Sequence, residues 1–394
     1  MKPAPEARRV AVTGVGVLAA CGIGRDAFWA GLLAPQPTGE RRINGFEPET
    51  AFENPKEAKR TDRFAQIALA AANEAMAQAG DIGVDLDRAA VLMGTGVGGL
   101  DTLETQIITR HEKGERRVSP FLVPMMMSNA ASAGLSMRYG WRGPCETTVT
   151  ACAAATHAIG NAARLIANGR CDAALTGGSE AAMTITGVAG FRNMTALSNS
   201  GVSRPFDAER DGFVMSEGAA VLVLEEWSAA EARGATILAE VLGAASTADA
   251  HHITAPAPGG TGAITCMEFA LDDAGLTPSD IVHINAHGTS TPLNDAAEAE
   301  AIANLFGSPG PIVTSTKGVT GHALGAAGAL EAAAVVLSMA HGLIPPTDGT
   351  KAIDPALPTI DIVLREPRPW TPGPSLSNSF GFGGHNGTLV LGPA

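Results

Sequence analysis

The chain has 394 residues, 45% of them hydrophobic and 17% charged, which suits two or three average domains around a large buried core and excludes wholesale disorder. The formal charge of −13, from 27 Lys+Arg against 40 Asp+Glu, excludes bulk binding to nucleic acid, which needs a cationic footprint. Any acidic partner must therefore meet a local basic patch. With aromatics at 4% and 47 glycines, the core falls to Ala, Val, Leu, Ile and Met.

The first apolar run is Val10–Val17. It follows Arg8-Arg9 and continues to Leu18-Ala19-Ala20-Cys21, the outline of a lipoprotein leader and its cleavage box. Glu6, Thr13, Gly14 and Gly16 suit such a leader poorly, and a buried first strand is expected instead. A helix is expected over Phe64–Gln78 and a strand over Ala89–Met93. Gly94-Thr95-Gly96-Val97-Gly98-Gly99 then matches a dinucleotide-binding turn. The acidic strand end that such a site needs about 20 residues on is missing; the charged segment Lys113–Arg117 stands there. A tight turn beside packed backbone is the plainer reading. The methionine run Met125-Met126-Met127 reads as core or subunit contact.

A strand over Thr147–Ala151 and a helix over Ala153–Asn168 meet at Cys152. A thiol at a helix N-terminus is expected to have a lowered pKa and to act as a nucleophile, although a buried structural cysteine fits the local sequence as well. Strands follow at Ala173–Thr176 and Ala219–Leu224, and the Pro/Gly-rich loop Thr254–Gly262 comes after them. The boundary between halves is placed near Glu240, giving 1–240 and 241–394. A helix is expected at Ile264–Ala274 and a strand at Ile281–Ala286, closed by His287. A helix at Asp295–Leu305 and a strand at Pro311–Thr316 lead to Lys317 and His322. The start of the next helix, Leu324–Ala340, favours a neutral His322 imidazole. That helix carries Glu331, so no run is both uncharged and long enough to span a bilayer. The Gly-rich turn Asn378–Gly387 offers backbone N–H groups for half of an oxyanion hole before a last strand, Thr388–Leu391. Alternating strands and helices predict a layered α/β fold. His157, His251, His252 and His283 read as ordinary structural residues. The five cysteines are odd in number and loosely spaced, with no CxxC or HExxH, so neither a disulfide framework nor a zinc site is expected.

The blocks VTACAAATHAIG, RPFDAERDGFVMSEGA, NAHGTSTP, STKGVTGHALGAAGALE and NSFGFGGHNG resemble those of β-ketoacyl-acyl-carrier-protein synthases, most closely the elongating ketosynthase II kind, over essentially the whole chain. The resemblance implies the thiolase fold, two similar α/β halves in five layers (αβαβα), and decarboxylative condensation of an acyl group with malonyl-acyl-carrier protein in fatty-acid elongation. Cys152 matches the acyl-accepting nucleophile, His287 and His322 the paired histidines, and Lys317 the lysine before the second of them. Glu298 matches the acid thought to pair with that lysine, with Asp295 as a supporting acid. Phe382 matches the gating phenylalanine, and its N–H and that of Cys152 the oxyanion hole. Thr289 and Thr291 match contacts to the phosphopantetheine arm, and Val97 and Phe191 the acyl pocket.

Lys59, Arg60, Arg116, Arg117 and Arg192 are the candidates for docking the acidic carrier. The resemblance also implies no metal and no cofactor of the enzyme's own, since phosphopantetheine arrives on the carrier. It implies a cytoplasmic homodimer, or a heterodimer with a related ketosynthase, without nucleic-acid or membrane partners. Departures from the pattern are a short stretch from Ile43 to Lys59, Thr195 in place of a docking base, Met125 and Met126 near the subunit contact, and His385 in place of Thr. A type II polyketide ketosynthase is the alternative of identical chemistry. A thiolase would need a second cysteine in the C-terminal loop, where none follows Cys266, and a non-catalytic chain-length partner subunit usually lacks the nucleophile.

Overall fold

The computed structural model describes residues 7–37 and 39–394; Glu6 lies outside the described residues. The run Val10–Ala19 is a strand with every residue buried. Its apolar residues are those expected of a strand covered on both faces, and it lies at the middle of the sheet. From it the first half continues outward through Gly218–Glu226, Ala173–Glu180, Ala89–Gly94 and Cys145–Thr148. The first two pairings are antiparallel and the next two parallel.

The second half repeats this plan. From Ala239–Ala248 the order is His385–Pro393, Ser375–Gly381, His283–Asn285 and Ile312–Thr314, again two antiparallel pairings and then two parallel ones. The short strand Asp361–Ile362 extends its edge. The halves meet where Ala11 pairs with Glu240 and Val12 with Ala239. Glu240 therefore belongs to the first strand of the second half, and the fold contains a structural repeat that the residues alone do not display.

Side chains alternate between two apolar layers along each strand, as the period of two requires. Leu222 and Leu224 face a central core with Ile159, Leu330 and Leu389. Val221 and Val223 face an outer core with Phe64 and Ile67 of the helix Arg63–Ala79. Val390 and Ile284 face the other outer core, beneath the helices Thr261–Ala274 and Pro292–Phe306. The helices Ala154–Ala167 and Ala327–His341 fill the middle layer. The order is helix, sheet, helix, sheet, helix. Burying each of these Val or Leu side chains contributes about 1.5–3 kcal/mol, and it fixes the register, because a one-residue slip would turn every face over.

The stretch Leu324–His341 is long and apolar enough to cross a membrane, yet it is 89% buried inside the protein. It is the central helix of the second half. Two of the longer strands escape the sequence pattern. Ala239–Ala248 is dominated by small residues, and Ser375–Gly381 has Ser at alternate positions with Leu376, Asn378 and Phe380 between them. Its serine face turns inward; Ser379 and Thr156 hydrogen-bond at 2.8 Å, while Ser377 Oγ has no partner among the described residues. All five cysteines are free.

Candidate active site

The loops that follow the parallel strands converge at the carboxyl ends of both sheets, where α/β folds open a crevice. The strand expected to run to Ala151 stops at Thr148. The chain then turns sharply, with Ala151 at φ 49°, and a 3-10 turn over Ala151–Ala153 leads into the helix Ala154–Ala167. Cys152 stands on that turn, 8% exposed. Its Sγ lies 3.1 Å from Nε2 of His322. The rings of His322 and His287 are edge to face, with centroids 5.3 Å apart. The thiol and both imidazoles have donor atoms within 4.8 Å of one another. Such a donor set suits a soft divalent metal, but the Lys317 ammonium 3.2 Å from His287 Nδ1 opposes a dication on that ring.

Lys317 fixes the state of His287. Its Nζ donates to the His287 carbonyl at 2.6 Å and faces Nδ1 at 3.2 Å. An ammonium only donates, so Nδ1 is the acceptor and Nε2 carries the proton towards the cavity. Burial, with Lys317 and His322 nearby, holds the His287 pKa well below the usual imidazole range. His322 is held low in the same way by burial and Lys317. Both rings are thus neutral, as expected. Nδ1 of His322 has no hydrogen-bond partner among the described residues, so nothing pins its tautomer.

Two expectations are corrected. The thiol pKa is raised: burial pushes Cys152 up to about 11, against the pull of Lys317 and the Phe382 N–H. Desolvation of a fully buried sulfur outweighs the pull of the helix end. The second correction concerns Glu298, which does not pair with Lys317. Its two oxygens accept the N–H groups of His287 and Gly288, each at 2.8 Å, and burial pushes it up to about 7. The partner of Lys317 is Glu331, a lone carboxylate in the apolar central helix. Its own signal lay in the sequence, since a charge in such a helix must be paired. Asp295 supports the adjoining loop by accepting from Phe206 N at 2.8 Å and from Ser290 N.

A cavity of about 440 Å³ opens onto the thiol. Thr289, Thr291, Val97, Phe191 and Phe382 all line it. The two threonine hydroxyls are 2.8 Å apart. The loop residues Thr254–Ala257 line the cavity too. The Phe382 N–H lies near the Cys152 sulfur and opposes the rise of its pKa. Gly381 lets the chain pass close by, because a Cβ there would lie 3.0 Å from Cys152 N. The dinucleotide-like turn is a packed turn: a Cβ on Gly325 would lie 2.0 Å from Gly96 N. Glu180, missed in the sequence, clamps that turn by accepting from Thr95 and from Gly325 N at 3.2 and 3.1 Å. Met125 and Met126 back the same turn at Gly99. Lys59, Arg60, Arg116, Arg117 and Arg192 are all exposed.

Residues 37–230 match the model of the β-ketoacyl synthase N-terminal domain and residues 238–351 that of its C-terminal domain. The chain belongs to the β-ketoacyl synthase family. It is 44% identical over 410 residues to 3-oxoacyl-[acyl-carrier-protein] synthase 2 of Synechocystis sp., with 98% of each chain covered. It is 42% identical over 413 residues to the protein of the same name from Staphylococcus aureus (strain COL), again with 98% of each covered. Among solved structures, the ishigamide ketosynthase/chain length factor superposes with a TM-score of 0.91 at 33% identity, over 98% of this chain and 100% of that one. The architecture is accordingly the five-layered thiolase fold, and the chain is an enzyme of the acyl-condensing family.

Proposed function

We propose that this β-ketoacyl synthase joins an acyl group held on Cys152 to the two-carbon unit of malonyl-acyl-carrier protein, in fatty-acid elongation. The observation that carries this reading is the grouping of one thiol and two neutral imidazoles at the floor of a largely apolar cavity. In the first half-reaction the Cys152 thiol gives its proton to His322 Nε2, and the sulfur attacks the carbonyl carbon of an acyl-carrier thioester. The N–H groups of Cys152 and Phe382 receive the oxyanion. The carrier sulfur leaves with the proton from His322. In the second half, malonyl-carrier loses its carboxylate as CO₂. The electron pair left behind forms an enolate whose oxygen accepts from the Nε2–H of His287 and from that of His322, whose single ring proton sits on Nε2 in this half-reaction because no partner holds it on Nδ1. The enolate carbon attacks the acyl carbon, the bond to Cys152 Sγ breaks with its electron pair on sulfur, β-ketoacyl-carrier departs, and the thiolate takes up one proton from solvent. Lys317 keeps His287 in its donor tautomer, and Thr289 and Thr291 hold the arm of the carrier. Decarboxylation drives the reaction, so no redox cofactor and no metal enters the scheme.

The partner is an acyl carrier protein. Arg60 stacks on the Phe121 ring at 4.7 Å, which brings it close to the segment of Arg116 and Arg117. Arg192 adjoins Phe191 at the cavity. Exposed Ile107, Val123, Met127 and Val149 and the half-exposed edge strand Cys145–Thr148 support a dimer of two copies. The ishigamide relative combines a ketosynthase with a chain length factor, so a heterodimer in a polyketide pathway is the second reading. The higher identity to the two synthases of the elongating kind favours the first.

The test is mass spectrometry of the protein after incubation with acyl-carriers of graded length, then with malonyl-carrier. Mass gain on Cys152 and release of β-ketoacyl-carrier are expected. Acylation at another residue, or an adduct that survives Cys152→Ala, overturns the assignment.

A further inference from the structure

His157 reads as an ordinary core histidine in the sequence, but both its ring nitrogens are engaged, and by opposite halves of the molecule. It sits on the helix Ala154–Ala167, 7% exposed. Its Nε2 lies 2.9 Å from the carbonyl oxygen of Asn386. A carbonyl only accepts, so Nε2 carries the proton. The neutral ring then has a lone pair on Nδ1, which accepts the Thr150 hydroxyl at 2.8 Å. Burial, with His385 and Arg164 acting the same way, keeps the ring neutral. Both bonds therefore have a fixed direction.

The two ends of this strut are informative. Thr150 opens the nucleophile's turn: its carbonyl accepts Ala153 N–H at 3.1 Å, and the next residue, Ala151, is the one at φ 49°. A non-glycine residue in that region stays there only if its surroundings hold it. Asn386 lies just past the Phe382 loop. Its side chain donates to Asp249 Oδ1 at 2.7 Å, and Asp249 N–H donates back to the Gly384 carbonyl at 2.8 Å. The adjoining Gly387 makes room for the ring, since a Cβ there would lie 2.9 Å from His157 Cδ2. The imidazole thus braces the turn that carries one oxyanion N–H against the strand that follows the other.

We propose that His157 is a positioning residue for acyl transfer: together with Thr150 it sets the spacing between the N–H groups of Cys152 and Phe382. The inference rests on the function proposed above. Its consequence is selective. The oxyanion pair serves attack on the acyl thioester, whereas decarboxylation of malonyl-carrier uses His287, His322 and Lys317. Misplacing one oxyanion donor costs about 10²-fold or more.

The experiment compares the wild type with Thr150→Val, Thr150→Ser, His157→Gln and the double variant Thr150→Val/His157→Gln. Single-turnover acylation from an acyl-carrier is followed by mass spectrometry. Decarboxylation of malonyl-carrier is measured with Cys152→Gln as background. Thr150→Val is expected to slow acylation at least tenfold while decarboxylation stays within about twofold, Thr150→Ser to restore acylation, and the double variant to be no slower than His157→Gln alone. Acylation by Thr150→Val within twofold of wild type overturns the proposal, as does an equal loss in both half-reactions. Should His157→Gln fail to fold, the Thr150 pair decides. A wild type that is never acylated at Cys152 sinks the functional reading and is told apart by that control.

Discussion

Replacing Glu331 by leucine isolates the contribution of the buried pair behind the histidines. Lys317 and Glu331 are 1% and 2% exposed, and burial pushes the carboxylic acid up to about 7 against the pull of Lys317. Breaking such a pair from one side leaves an unpaired ammonium in the core and costs about 3–5 kcal/mol. For a chain of 394 residues the unfolding entropy near the midpoint is about 0.8 kcal/mol/K, so the melting temperature should fall by about 5 °C. The double variant Lys317→Met/Glu331→Leu removes both charges and should regain most of that loss, because a well-packed apolar replacement for a buried ion pair is close to neutral. Activity should separate from stability. Only the double variant takes the donor from His287 Nδ1, so malonyl decarboxylation should drop by about 10²-fold there and by less in Glu331→Leu, which keeps Lys317. Differential scanning calorimetry and a CO₂-release assay read the two quantities. A single variant that melts within 1 °C of wild type, or a double variant as unstable as the single, would refute the claim that the pair is dry and coupled.

Inactivation by iodoacetamide should accelerate about tenfold per pH unit up to pH 10, because burial holds the Cys152 thiol near 11 and the reactive thiolate grows as pH rises towards that value; a plateau below pH 8 in the stopped-assay rate would contradict it. Gly381→Ala places a methyl group 3.0 Å from Cys152 N and 3.2 Å from Ala153 N, so acylation should fall by at least tenfold in a mass-spectrometric time course, and an unchanged rate would mean the loop has slack. Glu298→Gln turns one acceptor for the His287 and Gly288 N–H groups into a donor, with an expected cost of about 1–3 kcal/mol in a denaturant titration; full stability would show that the loop holds itself. Arg116→Glu with Arg117→Glu should weaken carrier binding by an amount that shrinks with added salt, and calorimetric affinities indifferent to both would exclude that patch.

The fold was legible wherever apolar runs were long. Val10–Ala19, Ala173–Glu180 and Gly218–Glu226 declare themselves as strands covered on both faces. Ser375–Gly381 did not, because its buried inward face is built from serines instead of apolar residues, and neither hydropathy nor β-propensity registers that. The positions of Cys152, His287, Lys317 and His322 were readable from strand-to-helix transitions, since such ends face a crevice in α/β folds. Their partners were less so. Glu298 and Glu331 lie on different helices, and only the packing of the central helix against Lys317 decides which carboxylate reaches it. The thiol's resting state was misjudged for a related reason. The helix end is local and visible in sequence, while desolvation depends on everything folded around it.

The repeated strand plan has a chemical corollary. Cys152 follows Cys145–Thr148, and Lys317 and His322 follow Ile312–Thr314, the strand that holds the same place in the other repeat. Likewise the Gly96–Val97 turn after Ala89–Gly94 is the twin of the His287–Gly288 turn after His283–Asn285. Nucleophile and proton handler thus occupy equivalent loops of the two repeats, and the glycine turn that imitates a nucleotide motif is the mute counterpart of a histidine. Neither copy can turn over alone, so separately expressed fragments 1–238 and 239–394 would be inert until they reassemble.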